Sequence, residues 1–277
     1  MRTASGRPSR RAVEDEATAA RCSTEAKDML VLDTVRKVYG TAGRPVTALD
    51  GVSMSVQAGS FVAVMGPSGS GKSTMLQIAA GLDRPSSGHV VVGGAALTGS
   101  SETELTILRR QHVGFVFQQM NLLPTLTVMQ NVMLPLRLAR QRADPSQAVE
   151  ILERIGLGKR IKHRPAELSG GQQQRAAIAR ALVTNPAVIL ADEPTGSLDT
   201  RSARAVLDLL REAVDAYGQT VVMATHDPVA ACSADSVMFL VDGQVAGWLP
   251  DPSVDAVADR LAHLGDQVAS HHPAVGE

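Results

Sequence analysis

Apolar positions recur along this chain at two spacings, and the switches between them outline the fold. Strand-like runs come first, at Met29 to Val35, Val52 to Val56, Phe61 to Met65 and His89 to Val92. Phe61-Val-Ala-Val-Met65 is apolar throughout, as a strand buried on both faces should be. The glycine-rich turn after it leads into a predicted helix that starts near Lys72 and stops at Gly81. From about Glu102 to Leu182 the spacing turns helical, punctuated by Pro124, Pro135, Pro145 and Pro165, and predicts a mostly α-helical lobe. Buried-strand runs return at Ala187 to Ala191, Thr220 to Thr225 and Ser236 to Val241, with the helical stretch Arg201 to Tyr217 among them. Alternation of this kind implies a parallel sheet with crossover helices, an α/β fold. Asp242-Gly243 is a hairpin turn signal.

The two ends differ from this core. Residues 1–28 are polar, small and mixed in charge, without an apolar period, and are expected to form a disordered tail. Residues 250–277 form a second tail, in which Val254, Val257, Leu261 and Leu264 predict a short amphipathic helix packing back onto the domain. Between them, 29–249 is expected to be one domain with its helical lobe at about 102–182.

Composition narrows the class. A chain of 277 residues can bury a full core, and its net charge of −1 offers no general attraction to nucleic acid. Two cysteines, Cys22 and Cys232, stand far apart without a disulfide pattern, which fits a reduced, cytosolic chain. No run approaches the roughly 18 apolar residues of a membrane span, so any work on a membrane falls to a partner.

Three strings carry chemistry. Gly66-Pro67-Ser68-Gly69-Ser70-Gly71-Lys72-Ser73-Thr74 fits the phosphate-loop pattern G-x-x-x-x-G-K-[ST], between a buried strand and a helix as that pattern requires. Its glycines let backbone N–H groups converge on phosphate oxygens at the positive end of the next helix. Lys72 would reach the β and γ phosphates of ATP, and Ser73 would offer its hydroxyl to Mg²⁺. Val188-Ile-Leu-Ala-Asp192-Glu193 is an apolar strand ending in two carboxylates. Asp192 can hold Mg²⁺, and Glu193 can take a proton from an attacking water. Leu168-Ser169-Gly170-Gly171-Gln172 heads a predicted helix, Gln173 to Leu182, and Ser169 with the Gly170 and Gly171 amides makes a second phosphate cradle.

In order and separation these strings resemble the nucleotide-binding subunits of ATP-binding-cassette (ABC) transporters, from about Met29 to Leu249. The resemblance implies a P-loop NTPase fold of the ABC ATPase type: a parallel-sheet core, an N-terminal antiparallel β subdomain and an α-helical subdomain. It also implies a head-to-tail dimer with a second copy or a related subunit, in which Ser169 to Gln172 press on the nucleotide held by the partner. Residue by residue, Tyr39 would stack on adenine, and Gln118 in GFVFQQ would contact Mg²⁺ and the attacking water, with a slip to Gln119 open. Asp199 in Ser197-Leu-Asp would join the two sites across the dimer, and His226 would contact the γ-phosphate and hold Glu193. GPSGSGKST, VGFVFQQMNLLPTLTVMQNVMLPL and ADEPTGSLD look like the subgroup of macrolide-export, lipoprotein-release and cell-division ATPases; Ser197 departs from its frequent Asn. The implied work is ATP hydrolysis on the cytoplasmic face of the membrane, driving a separate integral permease. The alternative is regulation of an envelope or division machine without transport. Met120, Met129 and Met133 suggest an adaptable docking surface for that partner, with core packing the competing reading for each.

Overall fold

The computed structural model describes residues 27–40, 44–139 and 144–271, with backbone only for 265–271. The expected tail at 1–28 therefore lies outside the described residues except for Lys27 and Asp28, the latter opening the first strand.

Two sheets organise the chain. An antiparallel sheet of order β2-β1-β4-β5 is built from β1 (Asp28–Tyr39), β2 (Val46–Gln57), β4 (Ser87–Val92) and β5 (Ala95–Ala96). A second sheet, of order β10-β9-β3-β8-β7-β6, comprises β3 (Phe61–Met65), β6 (Val113–Val116), β7 (Val188–Asp192), β8 (Val221–Ala224), β9 (Ser236–Val241) and β10 (Gln244–Pro250). All pairs in it are parallel except β9–β10, whose turn runs through Asp242 and Gly243, both with positive φ. β3 and β8 are buried at every position, so apolar runs without alternation become central strands.

The helices cover both faces of that sheet. α1 (Lys72–Ala79) packs between it and the antiparallel sheet, in a core containing Leu30, Leu49, Met75, Ile78 and Leu190. α6 (Thr200–Tyr217), α7 (Pro228–Ala231) and α8 (Val254–His271) cover the other face, with Leu210, Ala230 and Phe239 in its core. Val257 and Leu264 are buried in the same core, so the C-terminal helix does pack back. A third core joins α3 (Val128–Leu138), α4 (Pro145–Arg154) and α5 (Gly170–Leu182). α5 links lobe to sheet: Ala176 and Ala179 belong to the third core, while Ile178 and Ala181 belong to the second.

The segment expected to be helical from Glu102 to Leu182 holds a strand. α2 (Glu102–His112) runs directly into β6, which pairs in parallel register with β7, Val113 against Val188 and Val116 against Ala191. The pairing overrides the helical pattern, because the β7 edge would otherwise lack backbone partners. Gly114 is required there, since a Cβ would stand 2.7 Å from the Ala181 carbonyl oxygen.

Candidate active site

Parallel strands in register bring their carboxyl ends to one edge, where Val64 and Asp192 both lie level with Ala224. The loop from Gly66 leaves β3 at that edge and enters α1 at Lys72. It lines a cavity of about 580 Å³ with Gly66 to Thr74, Ala48, Gln118, Glu193 and His226. Local chemistry forces the loop's shape. Gly69 and Gly71 have φ of 82° and 100°, and a Cβ on Gly66 or Gly71 would lie 1.9 Å from the Leu240 oxygen or 2.4 Å from the Ala48 oxygen. The Ser70 hydroxyl is buried without a hydrogen-bond partner in the described residues.

Lys72 is buried and donates from Nζ to the Gly66 and Pro67 carbonyls at 2.8 and 2.9 Å. Burial lowers its pKa, while Glu193 and Asp192 act the other way. Ser73 Oγ donates to Asp192 Oδ1 at 3.0 Å. Burial raises the Asp192 pKa and Glu193 adds to it, against the Ser73 hydrogen bond and Lys72. The Ser73 hydroxyl, the half-buried Asp192 carboxylate bonded to it and the Gln118 amide are hard oxygen donors of the kind Mg²⁺ takes, and the buried ammonium beside glycine amides suits a polyphosphate. The residues present therefore fit ATP with Mg²⁺.

The carboxylate expected to act on water is held with some strain. Glu193 has φ 47°, a left-handed conformation uncommon outside glycine. Its amide donates to the Ala224 carbonyl at 3.0 Å and its carbonyl accepts from the Gly196 amide at 3.1 Å, which fixes the turn. Its Oε1 meets His226 Nδ1 at 2.8 Å, with the glutamate side chain 14% exposed and the histidine 70% exposed. The imidazole's Nε2 is left as its remaining polar atom.

Gln118, just after β6, lines the cavity and Gln119 does not. Sequence reading missed what anchors its loop. Arg180 of α5 donates to the Asn121 and Met120 carbonyls at 2.6 and 3.0 Å. Buried Asn131 accepts the Leu123 amide and donates to the Leu123, Leu126 and Thr127 carbonyls. No local motif announces either residue. Of the three methionines, Met133 is buried in the helical core, so packing claims it; Met120 and Met129 are half-buried.

Three expected contributors lie away from the cavity lining. Ser169 and Gly170 are exposed. Helix α5 begins at Gly170, three residues earlier than predicted. Ser169 is its cap, with Oγ accepting from the Gln172 amide at 3.4 Å and Gln172 Oε1 accepting from the Ser169 amide at 3.0 Å. Gly171 is buried, and a Cβ there would be 2.5 Å from Ser202 Oγ, so α5 and α6 approach closely at that point. Asp199 caps α6, accepting from the Ser202 amide at 3.0 Å. Tyr39 ends β1 at 40% exposure, its hydroxyl donating to Asp83 Oδ2 at 2.6 Å.

Comparison with known proteins covers the same ground. A family model described as "ABC transporter" matches residues 49–196. "Macrolide export ATP-binding/permease protein MacB" of Burkholderia pseudomallei is 45% identical over 230 residues, 82% of this chain but 35% of its own length. The chain thus spans about a third of such relatives. "Uncharacterized ABC transporter ATP-binding protein YvrO" of Bacillus subtilis is 45% identical over 219 residues, 78% of this chain and 95% of its own. The dimeric ATP-binding cassette MJ0796, solved in a post-hydrolysis state bound to ADP and Pi, superposes with a TM-score of 0.75 at 41% identity. That match covers 81% of this chain and 100% of the solved one.

Proposed function

The chain belongs to the ABC transporter family, and from that premise we propose that it is the ATP-hydrolysing subunit of a transporter whose membrane permease is a separate chain. The reading rests above all on one observation. Glu193 and His226 are paired at 2.8 Å on the wall of the phosphate-loop cavity, yet Ser169 to Gln172 stand outside it.

ATP is the substrate. Lys72 and the loop N–H groups between Gly66 and Thr74, Pro67 having none, would bind its phosphates. Ser73, Asp192 and Gln118 would hold Mg²⁺, which when bound screens phosphate charge. Glu193 orients the attacking water and accepts its proton, and His226 fixes that carboxylate through Nδ1, leaving Nε2 as the atom that would meet the γ-phosphate. Water is excluded and the charge on the phosphate completed when a second copy, or a related subunit, brings its own Ser169, Gly170, Gly171 and Gln172 against the open side, with Asp199 at the seam. Tyr39 would stack on the base.

No helix among the described residues is long and apolar enough to cross a membrane. In this reading, energy passes to an integral permease at the cytoplasmic face, in keeping with relatives named as combined ATP-binding/permease proteins. The macrolide-export relatives support export of a drug-like, lipid or peptide substrate. The test is affinity purification of the full chain from native membranes. Recovery of an integral membrane protein with ATP-stimulated transport in vesicles supports export. Recovery of an envelope or division complex, with no transport, replaces that reading by regulation. Hydrolysis at full specific rate at vanishing protein concentration would remove the dimer.

A further inference from the structure

Just beyond the helix that begins with the phosphate-binding lysine stands a carboxylate that grips Tyr39. α1 starts at Lys72 and closes at Gly81, where the Leu82 and Asp83 amides donate to the Gln77 carbonyl at 2.8 and 3.2 Å. Asp83 then splits its two oxygens. Oδ2 accepts the Tyr39 hydroxyl at 2.6 Å, and Oδ1 accepts Lys37 Nζ at 2.6 Å. Lys37 donates as well to the Arg84 carbonyl at 2.7 Å, and its ammonium stands 4.7 Å from the centre of the Tyr39 ring. Lys37 and Tyr39 stand two apart on β1 across a register shift, and both side chains meet at Asp83.

We infer that Lys37 and Asp83 are positioning residues for the nucleotide base, holding the Tyr39 ring at a fixed distance from the phosphate loop. The inference rests on Tyr39 being the base platform. A tyrosine at the exposed end of a strand would otherwise lose rotamer freedom when a base stacked on it. Here that freedom is spent before the nucleotide arrives, through one hydrogen bond at the ring's tip and a cation over one face. The ammonium draws electron density toward its side of the ring. That favours an electron-rich purine on the other. Because Asp83 follows the helix that Lys72 opens and its amide is tied back to the Gln77 carbonyl, the base and phosphate contacts share one support. Asp83 supports this geometry as a carboxylate. Burial pushes its pKa up, but hydrogen bonds from Lys37, Tyr39 and the Arg84 amide outweigh burial and hold it below the usual value.

The experiment compares equilibrium binding of ATP with that of ribose 5-triphosphate, which lacks the base, in the full chain. Tyr39→Ala should weaken ATP about tenfold and ribose triphosphate less than about twofold, in line with base–aromatic stacking. Asp83→Ala and Lys37→Met should each weaken ATP about threefold or more and leave ribose triphosphate unchanged. The double variant Tyr39→Ala/Asp83→Ala should bind ATP no worse than Tyr39→Ala alone, because Asp83 acts through the ring. Equal weakening of both ligands by Asp83→Ala, or additive losses in the double variant, would overturn the inference while leaving Tyr39 as the platform. If Tyr39→Ala keeps the full preference for ATP, the platform itself is misassigned and the inference goes with it.

Discussion

The phosphate-loop cavity and the Ser169 to Gln172 segment are both built to meet phosphate, and they are built differently. Around the cavity every wall is set by the sheet. Glu193 is locked by Ala224 and Gly196 amide–carbonyl bonds, Ser73 by Asp192, and Lys72 by two loop carbonyls. At Ser169 the organisation is a capping box on an exposed helix end, with Gly171 packed against Ser202 behind it. That box does one thing. It turns the first amides of α5 outward, where no intrahelical acceptor can take them. The contrast teaches that one chain carries a site with buried charges and an open side, and elsewhere a lid with no charge of its own to close over. Each part is preorganised, and neither is complete.

The sharpest way to break the contrast is to disable one region and ask whether the other still works. Glu193→Gln keeps the shape and removes the proton acceptor. Hydrolysis should fall by about 10³-fold, within the range general-base loss gives, while ATP binding persists and a dimer accumulates in size-exclusion light scattering. Normal turnover would take Glu193 out of the chemistry. Ser169→Arg acts on the other region. Hydrolysis should drop about a hundredfold, comparable to losing a donor to developing charge, with ATP affinity of the dilute monomer unchanged in a fluorescence titration. Loss of binding instead would mean that α5's first turn supports the cavity's fold from within the same chain.

How readable the two regions were follows from the range of the forces that make them. The phosphate loop and β7 with its carboxylates were legible because a buried strand, a turn and a helix start are all local in sequence, and β3 and β9 fell on their expected residues. Longer-range pairing was less visible. β6 is four residues long, follows α2 without a break, and is a strand only because β7 lies beside it. β1 continues to Tyr39, beyond the expected Val35, through a positive φ at Thr34 and register shifts that interrupt its alternation. The supports of the Gln118 loop, Asn131 and Arg180, were silent because their partners are backbone groups, and a backbone group has no sequence signature. Ser169, by contrast, announced itself through the Leu168 to Gln172 string, although the helix began earlier than predicted.

The smallest effect compares one aspartate from each region. Burial raises the Asp192 pKa, with Glu193 adding to it, whereas hydrogen bonds from Ser202 lower that of exposed Asp199. The signs are opposite. A carboxyl whose pKa is higher in the folded state costs stability once ionised, and that cost fades as pH falls through the raised native value. A carboxyl whose pKa is lower in the folded state contributes stability above the ordinary carboxylate range, and loses it as pH drops through its native value. Asp192→Asn should therefore raise the melting temperature of the nucleotide-free chain at neutral pH by about 2–4 °C, the shift expected from roughly 1 kcal/mol in a domain of this size. The gain should shrink on acidification, while Mg²⁺-dependent hydrolysis falls. Asp199→Asn should lower the melting temperature slightly at neutral pH, with the loss closing at low pH. Differential scanning calorimetry of both variants at several pH values decides the matter. If Asp192→Asn destabilises at every pH, the buried carboxylate is held by its Ser73 and Lys72 contacts more strongly than burial opposes it. The cavity then is not a region where the fold gives up stability for chemistry.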